Sequence, residues 1–281
     1  MLHQARATTT RALLPAALSL LVLPAVASRA AAQTDYYNTD AGRPISVEDA
    51  YPVERRAVEL QIAPLRLDRT GGVYGWGIEP EIAVGILPRT QLEVAFPLAY
   101  VDLGAGRRRT GLAGVEVGAL HNLNVETRIP ALAVAAELLI PAGGLGPDEL
   151  RPSLKAIATK TFPWARVHVN GTYHFGDRSV DDPVDAGGHA ASDLASWEAG
   201  VAVDRTFPLQ SFLLTAELVA GRPVVDGAEV EWSTAAGTRY QLSPRVALDG
   251  GAGYRLTGIA EGWYVTFGAA LSLGLPWTPR R

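Results

Sequence analysis

Carboxylates at alternate positions are the most conspicuous chemistry in this chain. Glu79 and Glu81 stand two residues apart, Glu93 recurs in the next apolar run, and Glu116 and Glu217 repeat the pattern further on. At that spacing the side chains share one face of a strand, where they can draw cations, pair with bases or exchange protons. A second group, Arg166-Val167-His168-Val169-Asn170, alternates in the same way, and Arg239 and Arg255 are the remaining basic candidates. His168 invites a hydrolase reading, yet no serine lies in a G-x-S-x-G turn, and its alternation sets it beside Arg166, away from the apolar face. A hydrogen-bonding role inside the fold suits it better. Gly143-Gly144-Leu145-Gly146 and Gly250-Gly251-Ala252-Gly253 lack the Lys-Ser/Thr of a phosphate loop, and no H-E-x-x-H or EF-hand spacing occurs. Asp181, Asp182 and Asp185 read as a solvated acidic surface. With no cysteine and only two lysines, Lys155 and Lys160, thiolate chemistry and a nucleic-acid stripe are both excluded. No catalytic residue, cofactor or metal site is expected, and the reading is that of a non-enzyme.

The elements that must hold these groups are strands. From Tyr74 to Ile86 the residues Tyr74, Trp76, Ile78, Ile82, Val84 and Ile86 alternate with Gly75, Gly77, Glu79, Glu81, Ala83 and Gly85. After Leu87-Pro88-Arg89-Thr90 the alternation resumes through Leu92, Val94, Phe96, Leu98 and Tyr100, which makes a hairpin. Similar runs lie near Val58 to Leu67, Leu112 to Leu123, Ala131 to Ile140, Leu154 to Thr161 and Arg166 to Phe175. Five more follow near Ser196 to Val203, Ser211 to Ala220, Glu229 to Tyr240, Arg245 to Tyr254 and Trp263 to Leu273, giving about 12 strands. Alternate connections are short and carry or adjoin Pro88, Pro130, Pro163, Pro208 or Pro244. The intervening ones include Val101 to Arg109, Ala142 to Leu150 and the longest, Gly176 to Ala195.

Arg6 and Arg11 precede an apolar stretch from Ala12 to Val26 that is too short and Pro-interrupted to span a bilayer, and Ala30-Ala31-Ala32 before Gln33 suits a cleavage site. Residues 1–32 therefore read as a signal peptide. Cleavage would leave 22 basic against 29 acidic residues, a net charge of about −7. No later apolar run is long enough for a membrane helix. An exported chain of amphipathic strands, with an even strand number, short turns at one rim and longer loops at the other, describes an outer-membrane barrel, closed because lipid offers its backbone no partner. Trp76, Tyr100, Tyr173, Trp197, Trp232, Tyr240, Tyr254 and Trp263 fall towards strand ends, as interfacial girdles require. A secreted sandwich or barrel would alternate too, but runs of 10 to 12 residues exceed its usual strands. The expected fold is all-β, a single antiparallel transmembrane β-barrel over 57–281 after the cleaved signal. Residues 33–56 form an N-terminal periplasmic lead or a small plug; the lead is preferred, since nothing in the segment shows a packing face.

Two stretches carry a family likeness. Gly77-Ile78-Glu79-Pro80-Glu81 through Gly85-Ile86-Leu87-Pro88-Arg89-Thr90-Gln91-Leu92-Glu93-Val94, and Arg166-Val167-His168-Val169-Asn170-Gly171-Thr172-Tyr173, resemble the outer-membrane transporter family of the meta-pathway of phenol degradation. The resemblance covers most of the mature chain in layout and implies a barrel that passes small, aromatic or hydrophobic compounds. The chain departs from many such barrels in following Trp277 with Thr278-Pro279-Arg280-Arg281 instead of ending on an aromatic.

If the Trp76 face meets lipid, parity turns Glu59, Glu79, Glu81, Glu93, Glu116, Glu137, Glu198, Glu217, Glu229, Glu231 and Asp249 inward with Arg166, His168, Asn170, His174, Arg239 and Arg255. A charge on the lipid face costs about 2–4 kcal/mol at mid-membrane, which enforces this choice. These residues are expected to line the lumen of a porin-like channel for passive or weakly selective passage of small molecules, with lipid and solute as partners. Two alternatives stay open: a non-conducting structural or surface-interaction barrel whose inner charges only pair, and a membrane-embedded hydrolase.

Overall fold

In a computed structural model of the chain, the described residues are 39–70, 73–102, 108–176, 195–223, 229–258 and 261–274. The expected signal peptide, the mature start at Gln33, Asp181 to Asp185 and the C-terminal Trp277 lie outside them. Among the described residues fourteen strands form: β1 (Ala57–Thr70), β2 (Val73–Leu87), β3 (Thr90–Ala95), β4 (Leu98–Asp102), β5 (Arg108–Leu112), β6 (Val115–Asn122), β7 (Ala131–Ile140), β8 (Arg151–Thr161), β9 (Arg166–His174), β10 (Ala195–Thr206), β11 (Phe212–Pro223), β12 (Glu231–Ser243), β13 (Val246–Arg255) and β14 (Gly262–Gly274). β3 and β4 both pair with β2, and β6 and β5 pair with them in turn. Each couple is thus one barrel strand, interrupted at Phe96-Pro97 and at Ala113-Gly114. Pro97 has no amide hydrogen to give the ladder, which accounts for the first break. Counted this way, twelve antiparallel strands follow one another around the wall, and β1 closes it by pairing with both β2 and β14. Closure leaves no sheet edge, the condition for placing strands in lipid.

The two faces separate as the alternation requires. Ile62, Ile82, Leu92, Val134, Val201 and Leu218 are exposed on the outside, while Glu59, Gln61, Ala83, Ala202 and Glu217 are buried within. Outward aromatics gather near the rims, where Trp76 stacks on Tyr100 at 5.9 Å, Tyr173 meets Phe175 edge-on at 4.9 Å, and Phe162 stacks on Trp164 at 5.8 Å. Two features depart from the sequence reading. Glu229 lies before β12, exposed, and is not an inward wall residue, because the strand begins only at Glu231. Between Ile62 and Leu65 the register of β1 slips against both neighbours. That bulge keeps Ile62 and Leu65 outside and delivers Arg66 and Asp68 inside, against strict alternation.

A larger correction concerns the N-terminal segment. Instead of leading away into the periplasm, residues 39–54 run up inside the barrel from the short-turn rim, where Arg55 bridges to Gly85. Arg43, Ile45, Val47, Asp49 and Ala50 are all buried there. Room for them comes from small wall residues: a Cβ on Gly237 would meet Pro44 at 2.6 Å, and one on Gly251 would meet the Pro44 carbonyl at 2.8 Å.

Candidate functional site in the barrel lumen

One side of the lumen is a carboxylate wall. Register places Glu81, Ala95 and Glu116 in one row across β2, β3 and β6, and Glu93, Gly118 and Glu137 in the adjacent row across β3, β6 and β7. Small residues thus separate the acids, and Glu93 leans over Gly118. Glu79 and Glu116 reach one another, and Glu93 accepts a hydrogen bond from Gln91 at 2.8 Å. Glu137 is held by Lys155 Nζ at 3.0 Å. Among the described residues no lysine or arginine pairs with Glu79, Glu81, Glu93 or Glu116.

The bases of the lumen are committed elsewhere. Fully buried Arg43 pairs with Asp249 at 3.2 Å, with Asp40 at 3.3 Å and with Glu59 at 3.6 Å. Fully buried Arg239 pairs with Asp40 at 2.9 Å and with Glu59 at 3.8 Å. Arg166 reaches Asp204 at 2.6 Å and Asp49 at 3.6 Å. His168 bridges Asp204 Oδ2 and Thr159 Oγ1, each at 3.0 Å, while Thr159 Oγ1 accepts the Ala50 amide at 3.0 Å. One proton arrangement satisfies the chain: Nε2–H donates to Asp204, and Nδ1 accepts the threonine hydroxyl. Although hydroxyl, imidazole and carboxylate stand in the order of a hydrolytic triad, the hydroxyl faces the Ala50 amide and is fully buried. The trio anchors the segment.

The other predicted residues also meet the segment or the space above it. Glu217 Oε2 accepts the amides of Ser46 and Val47, each at 2.8 Å, and Asn170 bonds both the amide and the carbonyl of Glu48 at 2.9 Å. Arg255 lines a cavity of about 270 Å³ beyond the segment, together with Arg66, Asp68, Glu79, Glu198, Glu231 and Tyr264, over Gly42 and Ser46. Arg66 lies over the Tyr264 ring at 4.0 Å, a cation–π contact. His174 and Glu198 line a second space of about 200 Å³ with Lys155 and Gly200. At the short-turn rim Tyr51 reaches Glu126 at 3.4 Å. Burial opposes charge on that carboxyl. The Thr161 amide and hydroxyl and the Lys160 ammonium outweigh it and hold Glu126 below the usual carboxylate range.

Sequence reasoning missed Arg43, Arg66, Lys155, Thr159 and Asp204 as interior groups. Lys155 and Asp204 were legible as charges within or ending a strand run. Arg66 was hidden by the bulge, and Arg43 by the preference for a periplasmic lead over a plug.

No family model and no curated protein matches the chain, whereas solved structures do. An outer-membrane channel from Pseudomonas putida F1 superposes with a TM-score of 0.56 at 14% identity, covering 84% of this chain and 100% of that one. This is the fold of an outer-membrane channel. The NanC porin gives a TM-score of 0.52 at 8% identity over 76% of this chain and 100% of its own. The KdgM porin gives 0.50 at 13% identity over 77% and 99%. At such identities the likeness is one of architecture, and the lumen chemistry must be argued from this chain's own residues.

Proposed function

We propose that the chain is an outer-membrane channel for passive, weakly selective passage of small molecules, gated by its own inner segment. In this reading residues 1–32 export the chain and are removed, 57–281 form the barrel, and the stretch 33–56 between them supplies the plug through its residues 39–54. The observation that carries it is the contrast between the walls: the barrel is a continuous ladder closed on itself, whereas the segment is held mainly by separate side-chain contacts and is tethered at one end. Such a segment can leave without unfolding the barrel. The wall acids Glu79, Glu81, Glu93 and Glu116, which no lysine or arginine among the described residues neutralises, would then bias the open lumen towards cations and neutral solutes. The likeness to the phenol-degradation family supports aromatic or hydrophobic compounds among the latter.

A second reading, a non-conducting barrel, draws on the buried network around Arg43 and Arg239, which fills the lumen with mutually paired charge. A reversible lock separates the two. The chain has no cysteine, and a Cβ on Gly200 would sit 2.5 Å from Val47 Cγ2, so paired cysteines at 47 and 200 are within disulfide reach. The variant Val47→Cys/Gly200→Cys should conduct in planar bilayers when reduced and fall silent when oxidised. Equal conductance in both states would mean that solutes bypass the segment; silence of wild type and both variant states would favour the non-conducting barrel.

A further inference from the structure

The wall reads the segment by its main chain. Thr266 Oγ1 donates to the Pro44 carbonyl at 3.2 Å, and Glu217 accepts the amides of Ser46 and Val47. Asn170 takes both main-chain groups of Glu48, Thr159 accepts the Ala50 amide, and Asn122 Nδ2 donates to the Ala50 carbonyl at 2.8 Å. Gln91 accepts the Val53 amide at 2.7 Å. These six side chains stand on β14, β11, β9, β8, β6 and β3, so the recognition winds around most of the barrel. Between 46 and 50 it takes Ser46, Val47, Glu48 and Ala50, and at Glu48 one carboxamide supplies the donor and acceptor that a neighbouring strand would. None of these eight hydrogen bonds depends on what side chain the segment carries.

Resting on the gated-channel reading, we infer that the lumen is a binding site for unstructured peptides, with the segment as its resident occupant and short oligopeptides as a solute class. When the segment withdraws, Asn170, Thr159, Asn122, Gln91 and Glu217 lose the partners that satisfied them, and another peptide main chain restores those bonds in the same geometry. A polyether of equal length offers acceptors but no amide donor for Glu217, Thr159, Asn170 Oδ1 or Gln91 Oε1. Small side chains fit best opposite Ala50, which sits among Leu120, Ala131, Ala133, Ala135 and Ile157. The neighbouring acids Glu79, Glu81, Glu93 and Glu116 disfavour acidic peptides.

The test is current blockade of the full-length protein in planar bilayers by an acetylated, amidated octapeptide of alanine and serine, against polyethylene glycol of matched mass. The peptide should interrupt the current with resolvable dwell times, and the polyether should not. Asn170→Leu, and separately Thr159→Val, should raise basal conductance by loosening the segment while shortening the peptide dwell time, about tenfold for Asn170→Leu with its two lost hydrogen bonds. A residue that only held the segment would leave dwell times unchanged or lengthen them. Equal blockade by peptide and polyether, or unchanged dwell times in both variants, overturns the inference. If no protein conducts, anisotropy of the dye-labelled octapeptide with full-length protein in detergent decides: saturable binding weakened by both variants sustains the peptide site while the channel reading falls, and absence of binding overturns the site too.

Discussion

Arg43→Met should undock the inner segment. The guanidinium is fully buried and lies within 3.6 Å of Asp249, Asp40 and Glu59. Methionine keeps much of the side-chain bulk and removes the charge, so Asp249 loses the cation that its Oδ2 contacts through two guanidinium nitrogens. Breaking a buried pair from one side costs about 3–5 kcal/mol, since the remaining charge stays desolvated. Arg239 still serves Asp40 and Glu59, which puts the loss near the lower end, about 3 kcal/mol, or roughly a hundredfold shift towards the undocked state. The cysteine-free chain allows a direct reading. Ile45 is only 2% exposed in the docked segment, so in an Ile45→Cys background maleimide labelling reports opening. Arg43→Met should speed labelling about a hundredfold while heat-modifiable migration of the barrel is retained, and Asp249→Leu added to it should recover part of the loss by removing the stranded charge. A change below about threefold in the single variant would refute the claim that this ion network docks the segment.

Two further outcomes follow from the wall. Val201 is 41% exposed on the outer face of β10, paired with Leu218 and Val169, so Val201→Arg should cost about 2–4 kcal/mol of insertion and depress refolding into lipid vesicles. Normal refolding yield would mean that this face does not meet lipid. Replacing Glu79, Glu81 and Glu93 together by Gln should shrink the cation preference of the open channel in reversal-potential measurements, most visibly at low salt, without altering heat-modifiability. An unchanged reversal potential would mean that these carboxylates do not face the ion path.

Much of the barrel was legible in the chain because lipid makes the alternation nearly compulsory: a strand such as β11 must turn Leu214, Ala216 and Leu218 to one side and Thr215 and Glu217 to the other. The same rule assigns Glu81, His168, Asn170 and Arg239 to the interior wherever the strand runs without a slip. It fails at β1, where the bulge between Ile62 and Leu65 exchanges faces and brings in Arg66, because a bulge is decided by how two ladders fit on either side and not by local preference.

The role of residues 39–54 was beyond the sequence for a different reason. Periodicity reveals elements that bury an apolar face, but this segment is docked largely by main-chain groups, which every residue carries, as with the Pro44 carbonyl and Thr266, 222 positions apart, and by charges whose partners are equally remote, as with Arg43 and Asp249, 206 positions apart. Alternation therefore determined that the chain makes a closed barrel with a polar interior. Only the tertiary structure decided that the interior is occupied, because a hydrogen bond between a remote side chain and a peptide group leaves no pattern in either stretch of sequence.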